Sequence, residues 1–237
     1  MAGNTDNTFA NITKHTVSPD AEGVVTVASG ETFRHIYMLG QETLPPAIFI
    51  EENATANILV LTLPGVSSDV KMEVVLCGKN AVLEMSGAYI LGSDENLHLA
   101  IDVFHDMPSC YSRQLFKGIV GGNAKADFYG KVIVAPDAQK TEAYQENHNI
   151  LLSDAAQVNA RPQLEIYADD VKCTHGATIG RLNEEEQFYM RSRGITLEEA
   201  RALQMISFLS PVLSSLDEKL RDGLASRLED AVMQIAK

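Results

Sequence analysis

Leu97-His98-Leu99-Ala100-Ile101-Asp102-Val103 alternates large apolar residues with small or polar ones. Successive side chains of a β-strand point to opposite faces, so this period puts the apolar set on one side. Lys71-Met72-Glu73-Val74 alternates in the same way. Working outward, from about Val24 to Tyr167 the chain reads as short runs rich in Val, Ile, Leu, Phe and Tyr, at 57–63, 71–77, 97–103, 113–119, 128–134 and 163–167. Between them stand Pro64-Gly65, Gly78-Lys79-Asn80, Ser93-Asp94-Glu95-Asn96, Gly121-Gly122-Asn123 and Ala135-Pro136-Asp137. Gly and Asn supply positive φ there, while Pro and Asp start turns. Turn signals recur every roughly 14–16 residues between Asn80 and Asp154, which suits a β-sandwich or a solenoid of stacked coils. There is no sharp sequence repeat, so periodicity alone says mainly β and leaves the topology open.

After Asp169-Asp170 the pattern changes. Asn183-Glu184-Glu185-Glu186 and Thr196-Leu197-Glu198-Glu199 both carry a small polar cap followed three positions later by Glu, the signature of a helix start. The first predicts a helix to about Arg193, stopped by Gly194. The second predicts one to about Ser210, where Pro211 ends or kinks it. Leu213, Leu216, Leu220, Leu224, Leu228 and Val232 recur mostly at i, i+4 and mark a third, amphipathic helix. The expected organisation is a loose tail at 1–18, a β-region at 19–180 and a helical region at 181–237.

Composition narrows the function. Of 237 residues, 19 are basic and 32 acidic, for a formal net charge of −13. Phosphate backbones and anionic lipids are bound through clustered Lys and Arg, so neither nucleic acid nor a membrane is an expected partner. The first fifteen residues lack the charged start and apolar block of a signal peptide, and a reducing, cytoplasmic setting is expected. Three cysteines cannot form a disulfide framework.

Cys173-Thr174-His175 is the most reactive-looking group. On an extended strand, residues i and i+2 share a face, so a thiol and an imidazole would stand side by side, and both ligate iron or zinc. Two ligands leave a four-coordinate site half built, so a second subunit would have to supply the rest. The bland alternative is a small buried thiol beside a histidine that satisfies a turn. His105-Asp106-Met107-Pro108-Ser109-Cys110 is a second His/Cys cluster. It matches no closed zinc pattern and is expected to be a polar turn. Cys77 ends an apolar run and is expected in the core. Gly118-Ile119-Val120-Gly121-Gly122 offers glycines for a phosphate, but no helix start follows, so it reads as a turn. No nucleophile elbow, Walker A loop, dinucleotide fingerprint or His-Glu-x-x-His is present. The absence of Trp also disfavours a carbohydrate-cleaving β-helix enzyme.

Longer blocks resemble a known family. Cys110-Tyr111-Ser112-Arg113 through Lys117-Gly118, Ala135-Pro136-Asp137-Ala138-Gln139-Lys140-Thr141 and Leu151-Leu152-Ser153-Asp154 are three of them. Pro162-Gln163-Leu164-Glu165-Ile166-Tyr167-Ala168-Asp169-Asp170-Val171-Lys172-Cys173, His175-Gly176-Ala177-Thr178 and Phe188-Tyr189-Met190-Arg191-Ser192-Arg193-Gly194 follow. Together they are similar to the SufB/SufD family of iron–sulfur cluster assembly proteins, on its SufD branch. The resemblance implies a right-handed parallel β-helix with C-terminal α-helices, acting as a non-catalytic scaffold subunit. It implies a SufB-like paralogue, or a second copy of the chain, as one partner and a SufC-like ABC-type ATPase docked on the C-terminal helices as another.

It further implies His175, with Cys173 beside it, as candidate ligands of iron or a transient iron–sulfur cluster at a subunit interface. In the family a His at the position of His175 stands beside a Cys from the SufB partner. Involvement of a flavin is left open. Relatives carry an N-terminal helical domain of about a hundred residues, whereas here the β-region begins almost at once. No SufB-type sulfur-accepting cysteine is identifiable. The rival reading is a structural subunit that homodimerises, anchors the ATPase and ligates nothing.

Overall fold

The computed structural model describes residues 14–214 and 216–236. Its β-region contains twelve strands: Val25–Val27 (β1), Thr32–Met38 (β2), Ala47–Ile50 (β3), Thr55–Thr62 (β4), Ser68–Leu76 (β5) and Val82–Leu91 (β6), then Asn96–His105 (β7), Tyr111–Val120 (β8), Lys125–Val134 (β9), Glu142–Leu151 (β10), Gln157–Ile166 (β11) and Lys172–Gly180 (β12). Odd-numbered strands form one sheet, in the order β1-β3-β5-β7-β9-β11. Even-numbered strands form the other, in the order β12-β10-β8-β6-β4-β2. Neighbouring strands run parallel in both sheets.

The chain thus lays one strand in each sheet and returns on top of itself. Val103 lies beside Val132 and Lys125 beside Gln157, so one coil takes about thirty residues. The turn interval read from the sequence is half a coil, and the open choice between sandwich and solenoid resolves to a parallel β-solenoid.

The corners explain how successive coils keep register. Asn53, Asn80, Ser109 and Lys140 all adopt positive φ, between 57° and 62°. Each turns its backbone N–H to the next coil: Asn53 donates to Lys79 O, Asn80 to Pro108 O, Ser109 to Gln139 O and Lys140 to Asp170 O. Asn tolerates this left-handed conformation better than most residues. The Asn80 amide also donates to the Asn53 side chain at 2.9 Å. At Gly78 two coils approach so closely that a Cβ would lie 1.9 Å from the Glu52 backbone nitrogen.

Alternation along each strand fills the lumen. Leu97, Leu99, Ile101 and Val103 face inward from β7 and are buried with Phe116, Phe128, Val132 and Val134. The Phe116 and Phe128 rings meet across the sheets at 4.9 Å. Both outer faces also carry apolar residues at one end of the strands. On the odd sheet, Phe49, Val75, Phe104 and Ile133 cluster under Val17. The backbone N–H groups of Thr16 and Val17, with the Thr16 hydroxyl, donate to the Glu73 carboxylate. Of the loose tail expected at 1–18, residues 1–13 lie outside the described residues, and Thr16 and Val17 are held in this contact.

On the even sheet, Leu61, Ala88, Ile90 and Ile119 lie under the C-terminal helices. These are Glu184–Ser192 (α1), Leu197–Leu209 (α2) and Glu218–Ile235 (α3), with a 3₁₀ turn at Ser210–Leu213 after α2. Thr196 and Glu199 cap α2 reciprocally. At α1 only half of the expected arrangement forms: the Asn183 side chain accepts from Glu185 N and Glu186 N. The Glu186 carboxylate instead accepts from the Gln204 amide. The third helix begins at Glu218 because Asp217 caps it, leaving Leu213 and Leu216 in the connecting turn. Among the described residues no helix is long and apolar enough to cross a membrane.

His105 is reassigned by the structure. The expected polar turn comprises residues 106–109, while His105 ends β7 fully buried, its Nε2 2.8 Å from the Ser112 hydroxyl. Burial pushes its pKa down to about 3.

Two predictions follow from the packing. Gly78→Ala forces backbone against backbone and lowers unfolding free energy by about 3 kcal/mol or more in urea melts. An unchanged midpoint would contradict the tight corner. An unfolded chain protonates His105 near pH 6.5, the folded chain only near 3. Its stability contribution is therefore complete above about pH 6.5 and is lost as pH falls toward 3, by up to roughly tenfold in the folding constant per pH unit. Urea melts at pH 7 and 5 on wild type and His105→Leu measure this slope, which the variant should flatten.

Candidate functional site

The final coil leaves the solenoid open. β11 and β12 are the last strands of their sheets, each paired on one side only. β12 pairs in register with β10, so Ala143 meets Cys173, Gln145 meets His175, Asn147 meets Ala177 and Asn149 meets Ile179. Ala143, Gln145, Asn147 and Asn149 are buried in the lumen, so Cys173, His175, Ala177 and Ile179 continue the inward rows onto the uncapped end. The thiol and the imidazole of Cys173-x-His175 thus share one face, as the spacing predicts.

Their surroundings differ. Cys173 is half-buried against the apolar core, and desolvation raises its thiol pKa. His175 is exposed. Around them the rim is apolar: Ile166 and Ile179 are 40% and 49% exposed, and Leu164 and Val158 are partly buried. On the outer face of β12, Lys172 pairs with Glu142 at 2.8 Å. Among the described residues no group of three or more His, Cys, Asp or Glu side chains converges as a metal site. Cys173 and His175 are a thiol and an imidazole at an edge, the donor types of half a site.

The other cysteines do not join them. Cys110 is buried, donates to Gly78 O, and has its pKa pushed up to about 11 by burial. Cys77 is half-buried and donates to Ile50 O. His105 lies within the lumen beside Ser112. Gly121 and Gly122 form a coil corner, where a Cβ on Gly122 would lie 2.1 Å from Gly92 O.

Sequence reasoning missed a polar interior beneath the site. Tyr89 donates its hydroxyl proton to Asn149 and accepts from Asn147. Gln145 Nε2 donates to Gln114 Oε1 at 3.1 Å. Met85, Gln114, Gln145 and His175 occupy one inward row on successive coils. The available clue was β10 itself: its inward positions read Ala-Gln-Asn-Asn, an alternation with polar residues where apolar ones belong.

The chain is similar to known proteins over most of its length. A sequence profile described as "SUF system FeS cluster assembly, SufBD core domain" matches residues 6–208. The chain is 34% identical over 214 residues to the Escherichia coli iron–sulfur cluster assembly protein SufD, covering 88% of this chain and 51% of that protein. It is 34% identical over 206 residues to the Arabidopsis thaliana protein ABCI7, chloroplastic, covering 84% of this chain and 43% of that one. A SufBD family protein of Synechocystis is 43% identical over 135 residues, which is 55% of this chain and 29% of that protein. The chain spans about half the length of the curated relatives it matches, or less.

The thiol environments make a direct prediction. At pH 8, iodoacetamide labels Cys173 more slowly than a free thiol and leaves Cys110 untouched until the chain unfolds, because the thiolate is the nucleophile. Mass spectrometry of timed aliquots reads the order. Labelling of Cys110 in the folded chain as fast as that of Cys173 would contradict it.

Proposed function

The chain belongs to the SufBD family of the SUF iron–sulfur cluster assembly system, and on that premise we propose that it is a non-catalytic scaffold subunit for cluster assembly. Its uncapped coil pairs with the matching end of a SufB-like paralogue or of a second copy. Iron, sulfide and the nascent cluster are the cargo. His175, with Cys173 beside it, supplies part of the ligand set, and the partner protomer supplies the rest.

The observation that carries this reading is the position of Cys173 and His175 on an unpaired edge strand. Such an edge presents unsatisfied N–H and C=O groups that invite another strand, and backbone pairing across it would bring a partner's side chains beside the imidazole. Exposed Ile166 and Ile179 on the same rim give that pairing apolar area to bury. A thiol and an imidazole suit iron and sulfide chemistry, and being only two they call for a partner to complete the ligand set.

For the ATPase, the leucine stripe is the less suitable surface, since Leu224, Leu228 and Val232 pack inward on the even sheet. α1 buries none of its residues, and Phe188 and Tyr189 stand 74% and 58% exposed. Tyr189 lines a groove with Leu203 of α2, 49% exposed, and this groove is the face on which a SufC-like ABC ATPase docks. ATP-driven closure of two such ATPases would pull on the two helical regions and open the seam between solenoids.

The test is anaerobic reconstitution with ferrous iron and sulfide of the complex co-purified with its partners. Visible charge-transfer absorption should appear, and His175→Ala should lower retained iron by at least about tenfold, the smaller end of what ligand-sphere changes cost. Wild-type iron content and assembly rate in His175→Ala would remove the histidine from the ligand set and leave the purely structural reading.

A further inference from the structure

Three buried side-chain atoms among the described residues lack a hydrogen-bond partner: His105 Nδ1, Gln114 Nε2 and Gln145 Oε1. A buried amide oxygen left unpaired loses its hydrogen bonds to water and gains none in return, so such an atom in a packed lumen calls for a partner. Gln145 is fully buried, and its Nε2 is already committed to Gln114 Oε1. That bond ties the nitrogen end of the carboxamide to β8, on one side of β10. The carboxamide crosses the lumen to Gly130, where a Cβ would lie 2.5 Å from Gln145 Nε2. A bare glycine thus makes the room this side chain occupies. On the other side of β10, in register with Gln145, stands His175. Adjacent strands lie about 4.8 Å apart, and in-register side chains on one face are direct neighbours.

We propose that Gln145 is the positioning residue of His175: its amide oxygen accepts the imidazole N–H, holding one tautomer with the other ring nitrogen's lone pair turned out to the open edge. Metal-binding histidines characteristically donate their second N–H to an oxygen acceptor, which fixes ring orientation and raises ligand basicity. Here the acceptor belongs to the coil below, and Gln114 in turn orders the acceptor. The row Gln114–Gln145–His175 thus links the buried interior to the exposed edge. The inference deepens the ligand role given to His175 above and rests on it, but its geometry is testable without iron.

The test is ¹⁵N nuclear magnetic resonance of the metal-free full chain with labelled histidine, above the pH at which imidazoles titrate. One His175 tautomer should predominate by about tenfold, as one ordinary hydrogen bond supplies. Its N–H proton should exchange slowly with water and show a nuclear Overhauser contact to the Gln145 Hγ protons. Gln145→Met keeps the shape and removes the acceptor, so the bias should fall back to that of a free histidine side chain and the slow exchange should vanish, while circular dichroism stays unchanged. Gln145→Glu keeps an oxygen there and should restore both. A wild-type His175 with a freely exchanging tautomer mixture would overturn the inference, whether or not Gln145→Met folds, and so would a bias that survives in Gln145→Met. Titration of the paired complex with ferrous iron separately reads the ligand role. A fixed tautomer with no iron bound would sink that role and leave the Gln145 contact standing.

Discussion

The structure depends on the in-register stacking of parallel coils. Strands of successive coils pair in register, and corner residues such as Asn80 and Ser109 pass their N–H groups to the next coil. Strands of the terminal coils are paired on one side only. An all-parallel stack therefore leaves an unpaired strand edge at its last coil, and Cys173 and His175 stand on that strand. On the proposed function, that edge is where a partner's ligands would be brought in.

Both flanks of the solenoid are already used. Val17 lies over the apolar patch of the odd sheet, and α2 and α3 cover that of the even sheet. Covering of this kind keeps buried strands from presenting apolar surface sideways; among the described residues, the last coil and the outer face of α1 are two surfaces it does not reach. One is a row of strand backbone beside a thiol and an imidazole. The other carries the exposed Phe188 and Tyr189, and on the proposed function a second solenoid would take the first surface and an ATPase the second.

Much of this was legible in the sequence. The alternation of 97–103 told inside from outside, and the 14–16-residue interval was half a coil. Thr196 with Glu199 capped a helix as read. Topology was not readable from periodicity, because a sandwich and a solenoid bury strands with the same period of two. The family resemblance supplied what the pattern could not. His105 was misjudged because it adjoins a real turn, and its burial depends on Ser112 across the lumen. The leucine stripe correctly marked an apolar face, but Asp217 rather than the stripe decides where α3 begins. Gln114 and Gln145 escaped notice because polar residues at strand positions read as outward. The alternation of β10 from Ala143 onward carries the inward direction of Gln145, and the register of the coils places that glutamine beneath His175.

The most direct measurement is pulsed electron paramagnetic resonance on the assembled complex holding a paramagnetic iron–sulfur species, with ¹⁵N-histidine in this chain alone. If the open coil presents a ligand to cargo shared between protomers, a ¹⁵N hyperfine coupling of imidazole size appears and disappears in His175→Ala. A spectrum with no ¹⁵N coupling, in a complex that still holds its cluster, would contradict the account at its centre.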